Sequence, residues 1–412
     1  MRDLRKEQQD MSTVNWRTPL VVLVCSGIIL TLSLGTRHSF GLYLQPMTLD
    51  LDWSRQTFAI ALAIQNLVYG LATPFAGMIA DKYGTARVLI GGTLLYALGI
   101  ALMAFSTTGW EFSVSAGLLV GIGLSCSGFS TVFGVVGRAF PPEKRTLALG
   151  ITGAAGSFGQ FLMLPFGQTL INQIGWHNAL LVCALTILLI LPLSSALVEN
   201  KNAQAGGQKQ SIPEALREAF GHSGFVLLCS GYFVCGFQLM FISVHFPAYL
   251  IDQRMTPDTG MMALALIGLF NIFGTYMWGW LGQHHTKKHV LSALYFTRAL
   301  VFAIFVMLPV TPFSVYLFAA AIGFLWLGTV PVTSGLIAQI FGVKYLATLS
   351  GIAFLFHQVG SFLGVWLAAY LFDNTGSYRL MWLLTIALGI LAGLINLPIN
   401  DQQIQRPAAA PA

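Results

Sequence analysis

The chain has 412 residues, of which 56% are hydrophobic and only 9% charged, with a formal net charge of +6. A soluble domain carries roughly 25% charged residues, so a soluble fold is excluded. The apolar runs have the length of helices crossing a bilayer about 30 Å thick, not the short alternating segments of a β-barrel.

Residues 1–18 form a polar N-terminal tail of mixed charge, with no cleavable signal peptide evident. Six spans follow, at 19–44, 55–79, 86–106, 111–138, 146–172 and 178–198. The least apolar long segment, 199–222, divides the chain in two; within it Ser211-Ile212-Pro213-Glu214 has the pattern of a helix start, with Ser as N-cap. Six more spans lie at 223–250, 259–281, 289–308, 313–340, 346–372 and 379–398, before a C-terminal tail of residues 399–412. The expected fold class is an all-α membrane protein, with twelve transmembrane helices in two pseudo-symmetric six-helix bundles, 19–198 and 223–398.

Charge sets the expected orientation. With the N-terminus inside, the cytoplasmic segments hold Arg2, Arg5, Lys6, Arg17, Lys82, Arg87, Arg138, Lys144 and Arg145, then Lys201, Lys209, Arg217, Lys287, Lys288, Lys344 and Arg406. The outer loops keep Arg55, Arg254 and Arg379. This asymmetry follows the positive-inside rule and places both termini in the cytoplasm, for a multi-pass protein of the plasma (inner) membrane. The net positive charge is accounted for by topology, and nothing else supports a nucleic-acid partner. The partners expected are membrane lipid and a small solute, for a chain acting as a monomer. Cys25, Cys126, Cys183, Cys229 and Cys235 all fall in apolar runs without metal-type spacing. Neither a metal nor a cofactor is expected.

The halves match one another. Gly150-Ile151, Gly159, Phe161-Leu162, Leu170 and Gly175 fall at one constant offset from Gly351-Ile352, Gly360, Phe362-Leu363, Leu371 and Gly376. Ala61-Leu62-Ala63 and Gly77 pair with Ala263-Leu264-Ala265 and Gly279 at nearly the same offset. Such a repeat points to a duplicated bundle with a substrate site between the halves.

Gly77-Met78-Ile79-Ala80-Asp81-Lys82-Tyr83-Gly84-Thr85-Ala86-Arg87, between spans 2 and 3, resembles the loop signature of the major facilitator superfamily. The resemblance implies a transporter fold and a conformational latch made by Gly77, Asp81, Lys82, Gly84 and Arg87. Thr85 stands where that family usually has a base, and Gln283 replaces the acid in the second-half copy. Lys144 to Gly159 is similar to the fifth-span signature of monocarboxylate transporters, with Ala155 in place of a Gly. This places the chain near the bacterial monocarboxylate transporter and oxalate-formate antiporter branch. That family's first-span acidic-Gly-Trp motif is absent, and Asn271 and Thr275 align with the Asp and Arg that bind substrate in its eighth span. Its first-span lysine falls at or beside Arg37-His38.

Arg37 is the residue around which a site is expected. An Arg in hydrocarbon costs from roughly 3 to more than 10 kcal/mol, so a helix that keeps one points it into a protein-lined cavity or lets it snorkel to the headgroups. Its fork suits a carboxylate. His38, Gln65, Asn66, Gln160, His245, Asn271, Arg298, His357 and Gln358 are the other polar candidates within spans. Arg298 serves either the substrate or backbone carbonyls. Pro247 near His245 suggests a gate, and each amide serves either a ligand or a neighbouring helix. No acidic residue is expected mid-span, so carboxylate proton relays are not expected and any proton coupling falls to His38, His245 or His357 or to the substrate. The chain is read as a secondary active transporter of a small organic anion, a monocarboxylate, working by alternating access with coupled protons. Efflux of drug-like amphiphiles is the alternative, and a non-transporting membrane sensor is the alternative of another class. No nucleophile, metal motif or nucleotide motif suggests an enzyme, so no catalytic residue is expected.

Overall fold

A computed structural model of the protein describes residues 16–199 and 210–406. The bases Arg2, Arg5, Lys6, Lys201 and Lys209 lie outside the described residues. Among those described, eleven helical stretches are long and apolar enough to cross a membrane. They are Pro19–Asp50, Arg55–Tyr83, Thr85–Phe105, Gly109–Ala139, Pro142–Leu197, Ser223–Asp252, Pro257–His284, Lys287–Met307, Pro312–Phe341, Leu346–Thr375 and Arg379–Asn396. The fifth is two crossings: Gly175 breaks it with φ +77, a left-handed conformation open to glycine at little cost. Spans 5 and 6 therefore meet at Gly175, and the crossings among the described residues number twelve.

Local chemistry sets the ends. Ser54 caps span 2 by accepting from Thr57 N at 3.2 Å, and Gly84 at φ +98 turns the chain into span 3. The helix Ile212–Gly221 has the Ser211 N-cap expected from its sequence, closed as a capping box: Ser211 N donates to Glu214 Oε2 at 2.7 Å and Glu214 N to Ser211 Oγ at 3.4 Å. Hydrogen bonds from Ser211 hold the Glu214 carboxyl below its usual range. This helix buries Ala215 and Ala219 and leaves Glu214 and Arg217 exposed, so it lies along the bundle on one face.

The repeat seen in the sequence recurs as contacts. Tyr96 on span 3 donates to the Ser33 carbonyl of span 1 at 2.9 Å, and Tyr295 on span 9 donates to the Gly231 carbonyl of span 7 at 2.7 Å. Gly77 meets span 11, where an added Cβ would lie 2.5 Å from the Ala347 carbonyl oxygen. Its partner in the repeat, Gly279, meets Gly150 of span 5, an added Cβ lying 2.6 Å from that Cα. The matched glycines are thus the points at which the halves touch backbone to backbone.

Spans 4 and 10 both break. Span 4 bends at Ser127–Gly128, and Ser127 Oγ shares a 2.7 Å hydrogen bond with Ser33. Span 10 loses its helix between Phe324 and Thr329. The freed groups find side chains. Trp278 Nε1 donates to the Phe324 carbonyl at 3.1 Å, and Leu327 N donates to Asn271 Oδ1 at 3.1 Å. Arg298 donates to the carbonyls of Leu325 and Trp326. Irregular backbone at membrane depth is tolerated where protein satisfies it.

Candidate functional site

The site is built on the last regular turn of span 1. Arg37 leaves that turn half-buried, donates to Asn66 Oδ1 on span 2, and stacks its guanidinium 5.2 Å from the Tyr69 ring centre. Asn66 and Tyr69 are one helical turn apart, so they share a face. From the other half, Gln358 on span 11 donates to the Asn66 carbonyl at 3.3 Å. Gln358 Oε1 lies 3.3 Å from His357 Nδ1. The Tyr232 ring of span 7 is 4.9 Å from the His357 ring, and Phe354 joins the rings of His357 and Tyr69 at 5.6 and 4.9 Å. Arg37 thus touches span 2, which span 11 meets at Asn66, and span 7 adds Tyr232 against His357. None of the ion pairs among the described residues includes Arg37. A fixed guanidinium held by a neutral amide and an aromatic ring retains capacity for an anion.

The remaining candidates are placed elsewhere. Gln65 is buried and donates to the Ala116 carbonyl at 2.7 Å, tying span 2 to span 4. Asn271 is buried: its amide donates to Ser157 Oγ at 2.9 Å, and its carbonyl accepts from Thr275 and Leu327. Arg298 is fully buried, bonding Gln238 Oε1 at 3.2 Å and Cys235 Sγ at 3.4 Å besides its two carbonyls. His245 has Tyr378 Oη at 3.1 Å from Nδ1 and the Val365 carbonyl at 3.0 Å from Nε2, on a helix that runs on through Pro247. Gln160 is half-buried opposite Gly268, and His38 is exposed. Of the sequence candidates, the structure brings together Arg37, Asn66, His357 and Gln358. Tyr69, Tyr232 and Phe354 were not foreseen. The spacing of Tyr69 from Asn66 is the one signal that would have found it.

At the end where spans 2 and 11 meet, Asp81 accepts from both the backbone N and the hydroxyl of Thr348, each at 2.7 Å. Arg138 of span 4 donates to Asp81 Oδ1 at 2.7 Å and pairs also with Glu199. Lys82 and Arg87 are exposed. Arg138, read from the sequence as a topological base, and Glu199 thus join the Asp81 cluster. In the second half, Gln283 Oε1 accepts from Thr146 N at 2.8 Å, and its Nε2 donates to the Pro142 carbonyl at 3.1 Å. Hydrogen bonds between the halves occur at this latch end and at the depth of Asn66 and Asn271; among the described residues none joins the halves at the opposite end.

The sequence matches the model of the Major Facilitator Superfamily over residues 23–326 and 228–412. The chain belongs to the Major Facilitator Superfamily. It is a multi-pass membrane transporter, not an enzyme. The transporter is 26% identical over 377 residues to an uncharacterised MFS-type transporter, YcxA, of Bacillus subtilis, covering 89% of this chain and 92% of the relative. It is 27% identical over 383 residues to monocarboxylate transporter 13 of Bos taurus, covering 88% of this chain and 85% of that one. Its fold is that of the Escherichia coli fucose:proton symporter FucP (TM-score 0.72, 16% identity), over 91% of this chain and 98% of that one. A bacterial homologue of the iron transporter ferroportin, in an outward-facing state, superposes with TM-score 0.74 at 16% identity, over 92% of this chain and 98% of that chain.

Proposed function

We propose that this transporter carries a small organic anion, a monocarboxylate, by alternating access, and that Arg37 holds its carboxylate. The observation that carries this reading is a guanidinium beside the meeting of spans 2 and 11, with no acidic partner among the described residues. A carboxylate accepts a charge-assisted pair from such a fork, with Asn66, Gln358 and Tyr69 shaping the space around it. Relatives named as monocarboxylate transporters support the substrate class. Residues 19–198 and 223–398 are the bodies that rock against each other, and the closed latch end faces the cytoplasm by the positive-inside pattern. Arg298, which donates to span 10, and Asn271, which accepts from span 10 and donates to Ser157 of span 5, are left out of the anion site.

The test is uptake of labelled short carboxylates into proteoliposomes, wild type beside Arg37→Gln. Loss of a hydrogen bond to a charged group is worth about 1.5–3 kcal/mol, so Arg37→Gln should weaken saturable uptake roughly 10- to 100-fold. Absence of carboxylate uptake by folded wild type would reject the reading and favour amphiphile efflux.

A further inference from the structure

His357 has an environment that the anion site alone does not explain. Its side chain is 7% exposed, and its Nε2 is buried without a hydrogen bond of normal geometry, while the Cys235 thiol of span 7 faces the ring. A buried polar nitrogen without a well-made hydrogen bond carries a desolvation cost, which is tolerated where the group does something. Its other nitrogen faces Gln358, and Gln358 leads through the Asn66 carbonyl to the residue that holds Arg37. The other two in-span histidines lack this combination: His245 has both nitrogens engaged, and His38 is exposed with no hydrogen bond to Asn66 or Gln358.

We propose that His357 is the proton-carrying group of this transporter, binding a proton at Nε2 together with the anion at Arg37 and releasing both on the other side. The inference rests on the anion reading above and adds the coupled ion. The charges around the ring set the sign of the coupling. From span 7, Tyr232 and Cys235 face it; from span 9, Arg298 reaches it through Cys235. From span 2, Tyr69 reaches it through Phe354, and from span 1, Arg37 through Asn66 and Gln358. The buried carboxylate among the described residues is Asp81, at the latch end. The neighbouring fixed charges are therefore positive. A bound carboxylate supplies the missing negative charge. Proton and anion then favour one another's binding, reciprocally. One proton and one monovalent anion cross together with no net charge.

The experiment measures binding of labelled pyruvate to the detergent-purified full chain across pH about 5 to 8. For wild type, affinity should fall about tenfold per pH unit on the alkaline side, with a proton taken up on binding, as read by calorimetry in two buffers of different ionisation heat. For His357→Gln that slope and the proton uptake should vanish, and stimulation of liposomal uptake by an inward proton gradient should vanish with them. A slope retained in His357→Gln overturns the assignment. So does wild-type binding that is Arg37-dependent yet independent of pH, an outcome that leaves the anion reading standing. Failure of folded wild type to bind pyruvate or any other short carboxylate sinks both. Should His357→Gln not fold, His38→Gln and His245→Gln decide: the slope kept in both supports His357, and its loss in either overturns it.

Discussion

Asp81 and Gln283 hold corresponding places in the two halves, and the two hold the molecule by different means. Each accepts a hydrogen bond from the backbone N at the start of a helix in the opposite half, Thr348 for Asp81 and Thr146 for Gln283. Asp81 is charged, takes the Thr348 hydroxyl as well, and is tied to Arg138 and through it to Glu199. Gln283 is neutral, and its second bond goes to a carbonyl. The shared geometry is a side-chain oxygen at a helix N-terminus, which a carboxylate and an amide both provide. What differs is the surrounding charge. The chain keeps one ionic and one neutral tether across the same closed end.

Removing the ionic tether should have the largest effect. Asp81→Ala leaves Arg138 without its most buried partner, and breaking a buried pair costs at least about 3 kcal/mol, roughly 100-fold in the balance between closed and open latch. Spin labels at the exposed Arg87 and His284 should report longer distances across that end. Asp81→Asn sharpens the comparison, since it keeps an oxygen for Thr348 and loses the charge; its shift should fall between those of wild type and Asp81→Ala. Gln283→Ala removes ordinary hydrogen bonds, so the same labels should show a displacement worth about 1 kcal/mol. The smallest change is expected for Gln283→Glu. A negative charge near the first turn of span 5 gains about 0.3–1 kcal/mol from the helix dipole, so the label distance should tighten slightly. A Gln283→Glu latch that opens would show that the second tether depends on neutrality and not on an oxygen.

The fold was legible because bilayer thickness writes itself into the length of apolar runs. The Asp81 loop was legible because its acid, glycines and bases lie in one short stretch. Gln283 was not: a comparison of residue types registers the loss of an acid, while a backbone N–H accepts either oxygen. Arg37 could be singled out from its cost in hydrocarbon. Its neighbours on span 11 came from the same reasoning, but Tyr69, Tyr232 and Phe354 did not: Tyr69 was reachable only through its spacing from Asn66, and for Tyr232 and Phe354 an apolar helix gives no sign of which face an aromatic residue occupies. Arg298 was legible as a problem and not as a solution. The break in span 10 at Leu325–Gly328 leaves no mark on hydropathy, so nothing in the sequence announces the carbonyls it serves.

That break bears on how the protein is made. Span 9 leaves the ribosome before span 10, with Arg298 near its centre and two of its acceptors, the Leu325 and Trp326 carbonyls, not yet synthesised. An arginine at the middle of an inserting helix costs about 2.5–3.5 kcal/mol on translocon scales. Span 9 alone is thus a reluctant guest in lipid, and the broken span 10 alone exposes backbone that lipid cannot satisfy. Each cancels the other's defect, so biogenesis favours their entry as a hairpin.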